Sequence, residues 1–288
     1  MKTTNARGGI LAVLALLTAL LIAGCGDDDD DSGEAPATST TASAEIDEAK
    51  LDAAVAEYDE YVESNAAELV KGTRKFVAAV EAGDIERAKR LYPVVRQSFE
   101  RIEPVAAAFG DLDPDIDGRE GDIPPEDWGG YHRIEKALWV DESTKGLKPI
   151  TEELIEDVVN LEDVAVKADF DPEEVAQGSV DLLGEVSASK ITGEEERYSH
   201  TDLWDFEANV EGAEAGFEAL EPAVREADPE LADEIRSQFE EMYAALDEYR
   251  KGDGFVLYDK LSKDDTAGLS QRIDALAEPL SRVPALVG

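Results

Sequence analysis

The sequence predicts an all-α protein built from helical bundles. From Glu45 onward, apolar residues return at spacings of three, four and seven with acidic residues between them, the signature of amphipathic helices. No stretch shows the period-two alternation of a strand. A short pattern also recurs in both halves: Phe99-Glu100-Arg101-Ile102-Glu103-Pro104 is echoed by Phe217-Glu218-Ala219-Leu220-Glu221-Pro222. Each copy is followed within about a dozen residues by Asp-Pro, so the pattern marks either a duplicated helical unit or convergence of acidic helices. A duplication would set two bundles face to face with a cleft between them, where ligand sites tend to form.

The chain opens with an export signal, residues 1–24. Lys2 and Arg7 give a positive start, and Ile10 to Leu21 is an almost unbroken apolar run. That run falls short of the about 20 apolar residues a membrane-spanning helix needs. It ends in Ile22-Ala23-Gly24-Cys25, which has the form of a bacterial lipobox, and Cys25 is the single cysteine of the chain. Cys25 is therefore the expected lipidation site, and an intrachain disulfide is excluded. Residues 25–45 hold five consecutive aspartates, Asp27 to Asp31, and then a Ser/Thr/Ala/Pro stretch. They are too polar to bury surface and read as a tether.

Residues 46–288 form the expected folded domain, roughly 240 residues and large enough to stand on its own core. Leu51, Val55, Tyr58, Val62 and Leu69 mark the first helix. Gly83-Asp84 breaks it, and Asp84 can cap a second helix running through Leu91, Val95, Phe99 and Ile102 toward Phe109, with Pro93 and Pro104 expected to kink or split it. Gly110 to Trp128 is rich in Gly, Asp and Pro and reads as a long irregular loop. Helices are then expected over the Gly130 block and near 149–167, 172–187, 199–226, 229–251 and 266–282.

The charge is extreme: 68 acidic residues against 27 basic ones, a formal −41. Nucleic acid and anionic membrane surfaces are repelled by such a chain, while cations are concentrated around it. An acidic surface also serves solubility, so charge alone does not define a metal protein.

The most informative segment is Gly130 to Trp139, GYHRIEKALW. It holds one of only two histidines, with Glu135 three positions after His132. On a helix the two side chains leave the same face and can clamp a metal. HxxE spacing arises often by chance, and for a lone pair a solvated face is the commoner outcome. The second histidine, His200, stands in Arg197-Tyr198-Ser199-His200-Thr201-Asp202-Leu203-Trp204-Asp205-Phe206, beside carboxylates and aromatics at an expected helix start. Both histidines thus occur next to tryptophans and acids in a chain poor in His.

GYHRIEKALW, the FERIEP hexapeptide, the loop Asp111 to Glu120 and the block Lys190 to Phe206 together resemble the imelysin-like family. More narrowly they are similar to its EfeO/EfeM branch, over residues 46 to 288. The resemblance implies two antiparallel four-helix bundles with a cleft between them and an HxxE-centred metal site. It implies His132 and Glu135 as ligands; His200 and Glu100 complete the expected set, with Glu103, Asp202 and Asp205 as alternatives. The form expected is the shorter one without a cupredoxin domain. The implied role is a lipid-anchored component of an EfeUOB-type ferrous-iron uptake system, held at the outer face of the cytoplasmic membrane or in the periplasm. Its implied partners are an EfeU-type permease, an EfeB-type haem peroxidase and the membrane, reached through the Cys25 lipid.

Imidazole and carboxylate donors suit iron, zinc or manganese, and ligand type does not choose among them; the resemblance makes iron, Fe²⁺ or Fe³⁺, the expected ion. Two other functions compete. A zinc peptidase would need a base beside an open metal position, yet HExxH is absent and Lys136 stands where the inverted motif requires histidine. A binder of envelope polysaccharide or protein would leave both histidines structural.

Overall fold

The computed structural model describes residues 46–288, in which ten helices and one two-stranded hairpin occur. The leader, the aspartate run and Cys25 lie outside the described residues. In order the helices are α1 (Glu48–Glu81), α2 (Ile85–Glu100), α3 (Leu112–Asp117), α4 (Gly130–Trp139), α5 (Lys148–Ala165), α6 (Pro172–Ala188), α7 (Asp202–Ala227), α8 (Pro229–Asp247), α9 (Lys263–Leu280) and α10 (Pro284–Val287). A 3-10 segment, Glu103–Phe109, follows α2. Helices α1, α2, α4 and α5 pack on one another, as do α6, α7, α8 and α9, and α7 joins the groups by packing on both α1 and α2. The fold is all-α, as the helical periodicity predicts.

Short polar residues set the helix starts. The Asp84 carboxylate accepts from the Arg87 amide at 3.1 Å, Asp171 from Glu174 at 2.8 Å and Asp228 from Leu231 at 2.9 Å. Each satisfies an amide that the first turn leaves unpaired. Ser262 and Asp265 make a reciprocal capping box at α9. The heptad-like stripe of α1, including Tyr58, Val62, Ala66, Leu69, Phe76 and Val80, is buried along nearly the whole helix.

Four features depart from expectation. Helix α2 runs unbroken across Pro93, because burial of Tyr92, Val95 and Phe99 outweighs the one lost hydrogen bond. It ends at Glu100 rather than continuing to Phe109, where Pro104 stands in the 3-10 segment. The expected loop contains α3, six residues long, anchored by fully buried Ile116. The α8 helix stops at Asp247, and Arg250–Lys251 pairs with Gly254–Phe255 as an antiparallel hairpin, β1 and β2. Its turn uses Gly252 at φ 63°. The two copies of the hexapeptide also differ: the first straddles the end of α2, whereas the second lies wholly inside α7.

Gly130 controls how α3 meets α4. Its φ is +66°, and a Cβ there would stand 2.3 Å from the Ile116 carbonyl and 2.7 Å from that of Asp115. Only glycine allows both the left-handed conformation and this backbone approach. Gly130→Ala is expected to destabilise the fold by at least about 2 kcal/mol, read as a lower thermal midpoint. It should also weaken metal binding, because the same contact carries Asp117 to His132.

Candidate metal centre

His132 and Glu135 lie in the first two turns of α4, facing inward, 2% and 0% exposed. The Glu135 carboxylate is fixed at both ends. Its Oε1 accepts the backbone amides of Tyr198 at 2.9 Å and Ser199 at 2.7 Å. Its Oε2 lies 3.2 Å from His132 Nδ1. The Tyr92 hydroxyl sits 3.4 Å from the same nitrogen and donates to Glu196 Oε1 at 3.2 Å. The other ring nitrogen, Nε2, is buried and has no hydrogen-bond partner. It faces Asp117 Oδ1 at 3.5 Å and Glu195 Oε1 at 3.7 Å.

The imidazole therefore stands between two ligand sets. Asp117, His132 and Glu195 form one, and His132, Glu135 and Glu196 the other, each with potential ligand atoms within 4.8 Å of one another. Asp117 and Glu195 also line an open cleft of about 520 Å³ between the 3-10 segment, α3 and α6. Glu135 and Glu196 are fully buried.

Arg96, completely buried on α2, organises the carboxylates around this ring. It pairs with Glu100 and Asp117, and its Nε lies 2.5 Å from Glu196 Oε1 at an angle too poor for a hydrogen bond. Asp205 and Glu195 stand 3.5 and 3.8 Å from the same guanidinium. Lys190 is the other buried cation, 3.0 Å from Glu100 and 2.6 Å from Glu103. Arg119, partly buried, donates to Glu195 at 2.9 Å, so three fixed cations stand among seven acidic groups, Glu100, Glu103, Asp117, Glu135, Glu195, Glu196 and Asp205, with Glu135 paired to His132 alone, and the cluster has room for further positive charge.

Protons fill part of that deficit. Burial raises Glu196, with Glu135 adding to the rise, and burial raises Asp205 against the pull of Arg96. For Asp117 burial is outweighed by Arg96 and His132, which hold its carboxyl far below the usual range. Burial of Glu195 is likewise overcome, by Lys190 and His132, leaving it at about 2. Burial and Arg96 push His132 down, but Asp117 and Glu135 prevail and keep the metal-free ring protonated.

These shifts set a pH dependence of stability. Burial lifts Asp113, Asp157 and Asp202 from 3.8 to about 6. Such a carboxyl takes up a proton on folding, so the metal-free protein gains stability as pH falls through 6 toward 4. His132 acts in the same direction, since its raised value contributes stability that is lost as pH rises. The paired carboxylates oppose this only lower, as pH falls toward the Glu195 value of about 2. The thermal midpoint of the metal-free protein is expected to rise by roughly 5 °C from pH 7.5 to 5.5. Asp202→Asn should reduce the rise, and a midpoint that falls over this interval would contradict the assignment.

Of the expected ligands, the structure brings His132 and Glu135 together but not the others. Glu100 is taken up by Arg96, Lys190 and Asn209, and Glu103 by Lys190 and Asn209. Asp202 accepts the Glu196 amide at 3.1 Å, and Asp205 faces Arg96. The His200 ring belongs to neither ligand set. Its backbone matters instead: at φ 58° it turns the chain, donating to the Glu196 carbonyl and accepting from the Tyr258 amide, both at 2.8 Å. That turn presents the Tyr198 and Ser199 amides to Glu135. His200→Gly should therefore retain metal affinity within about twofold, whereas His200→Val, strained at positive φ, should weaken it; calorimetric titration of both variants reads the difference.

Sequence reasoning missed Asp117, Glu195, Glu196 and Arg96. The first three lie inside segments that carry the family resemblance, yet nothing in their spacing sets them apart among 68 acids. Arg96 did leave a signal, since it falls one turn after Tyr92 on the buried face of α2.

Fold and site together define an all-helical bundle protein with a buried imidazole–carboxylate cluster suited to holding a metal ion. The chain belongs to the imelysin family, whose model matches residues 54–283. An Efem/EfeO family lipoprotein of Staphylococcus haemolyticus is 44% identical over 282 residues, covering 95% of this chain and 97% of its own length. One from Staphylococcus aureus is 45% identical over 244 residues, covering 83% and 86%. Within the family the chain is thus of EfeM/EfeO type, an extracytoplasmic, lipid-anchored protein. Among the described residues no helix is long and apolar enough to cross a membrane. A crystal structure described as an iron-regulated protein A precursor, from Parabacteroides distasonis, shares the fold at a TM-score of 0.63 and 16% identity, covering 86% of this chain and 97% of that one.

Proposed function

We propose that this protein captures iron outside the cytoplasmic membrane and delivers it to a permease of EfeU type, in a system that includes an EfeB-type haem peroxidase. The anchor is a lipid on Cys25. The observation that carries this reading is His132 Nε2, a buried nitrogen without a hydrogen bond, aimed at two carboxylates beside an open cleft. Asp117, His132 and Glu195 hold the ion, and Glu135 serves as the carboxylate that fixes the ring and its tautomer. The cleft supplies the entry path that the fully buried Nδ1 side lacks.

One imidazole and two carboxylates are borderline-to-hard donors, so iron fits, and zinc and manganese fit by the same chemistry. Equilibrium titration with Fe²⁺ without oxygen, and with Zn²⁺, tests the proposal. His132→Ala combined with Glu135→Ala should lower affinity at least about 100-fold, and unchanged affinity refutes it.

The peptidase label on the family model favours a second reading. Hydrolysis needs a free base at the metal, yet both oxygens of Glu135 are engaged. Binding without hydrolysis is the better account. Zinc-dependent cleavage of casein, abolished by Glu135→Gln, would reverse that ranking.

A further inference from the structure

Helices α1 and α2, joined by the turn at Gly83, carry a face whose charge opposes that of the chain. Residues 71–97 hold seven basic residues against three acids, in a protein with 27 bases and 68 acids. Lys71, Arg74 and Lys75 stand three and four apart on α1 and are exposed. Arg87, Arg90 and Val94 follow the same spacing on α2 and are exposed as well. Gly72 lies so close to Val95 that a Cβ there would come within 2.6 Å of its side chain, which makes the two stripes neighbours. Between them runs a groove of about 370 Å³ whose lining includes Gly72, Lys75, Leu91, Val94 and Val95.

Basic side chains elsewhere on the surface are absorbed by the abundant acids. Arg225, Arg236, Arg250 and Arg282 each pair with two of them. On the α1–α2 face, Arg74, Lys75, Arg87 and Arg90 make no ion pair among the described residues. Lys71 makes one, with Glu68 at 2.7 Å, exposed and therefore weak. Val94 is 58% exposed, the most of any large apolar side chain among the described residues. Free cations around an exposed apolar side chain complement a surface of anionic groups laid over an apolar layer.

We infer that this face docks on the anionic lipid headgroups of the membrane to which the chain is anchored. The inference rests on the anchor at Cys25. The chain between Cys25 and Ile46, about 20 residues, spans up to about 70 Å. That exceeds the about 40 Å of helix from the start of α1 to Lys75. The net charge repels an anionic surface at a distance, but screening within about 8 Å leaves the facing side chains to decide at contact. The anchor removes the need for a long-range approach and holds the face at high local concentration. Each Lys or Arg at such a surface strengthens association by about fivefold. No residue lining the cleft beside His132 comes from α1 or α2, so docking through this face leaves that lining uncovered.

The test couples the chain from Cys25 onward, through that single thiol, to a maleimide lipid in vesicles, so the anchor is present whether or not the cell adds one. Acetylation of individual lysines is then followed by mass spectrometry at about 150 mM salt. On phosphatidylcholine vesicles containing about 30% phosphatidylglycerol, Lys71 and Lys75 should react at least about threefold more slowly than on phosphatidylcholine alone. Lys260, 66% exposed, should react equally on both. Arg74→Glu with Arg90→Glu should abolish the protection, while Lys148→Glu with Lys167→Glu, an equal change of charge at the ends of α5, should preserve it. No slowing, equal slowing on phosphatidylcholine, or slowing of Lys260 as well overturns the inference. Slowing in solution as protein concentration rises overturns it in favour of a second copy, and equal protection by a soluble poly-glutamate peptide in favour of an acidic protein partner. Metal titration reads a different site, so the two proposals fail independently.

Discussion

Asp117→Asn and Glu195→Gln each weaken iron and zinc binding at least about tenfold. Either change keeps the size of the side chain and removes one anionic donor from the Nε2 side of His132. Glu196→Gln, on the opposite side of the ring, should cost less than about threefold by the same reasoning. The ranking follows from the environments of the two sets. Asp117 and Glu195 are held ionised, Asp117 by Arg96 and His132 and Glu195 by Lys190 and His132, all against the pull of burial, and so are ready to ligate. Glu196 is pushed toward its neutral form by burial and by Glu135, and it would have to shed a proton first. If binding uses the Nδ1 side instead, the order inverts: Glu196→Gln becomes the damaging change and Asp117→Asn is tolerated. Glu100→Gln belongs with the tolerated changes for affinity, since its oxygens already serve Arg96, Lys190 and Asn209.

Arg96→Met destabilises the metal-free protein by about 3–5 kcal/mol at neutral pH. In a domain of this size that lowers the thermal midpoint by about 10 °C. The methionine fills similar space, so the loss is electrostatic. Removing the guanidinium leaves Glu100 with Lys190 alone, Asp117 with the His132 ring alone, and Glu196 and Asp205 without the cation that faced them. Two conditions should restore part of the loss. Lower pH lets the carboxyls protonate, and a bound divalent ion replaces the missing charge. Arg96→Lys should fall between wild type and methionine, because an ammonium cannot reach several carboxylates at once as the planar fork does. An Arg96→Met protein with an unchanged midpoint would mean that the cluster is wet and its charges largely screened.

The fold was more legible than the site, and the reason is periodicity. Helices α1, α5, α6 and α9 are long enough for apolar spacing to expose them, and Asp84 marks the start of α2 with its cap. Six-residue α3 spans under two turns, too short for a pattern, and the β1–β2 pair offers two residues per strand. His132 and Glu135 stood out because one helix supplies both. Asp117 and Glu195 reach the same ring from α3 and from the segment before α7, and no local spacing encodes that convergence. His200 attracted the ligand reading through its side chain, while the structure uses its left-handed backbone.

The most direct measurement is a crystal structure of the protein soaked with Fe²⁺ or Zn²⁺, with the ion located by its anomalous scattering. One strong peak is expected about 2 Å from His132 Nε2, with Asp117 and Glu195 completing the coordination and Glu135 still bound to Nδ1 and to the Tyr198 and Ser199 amides. A peak on the Nδ1 side, a peak at His200, or no ordered ion within the cluster would contradict it.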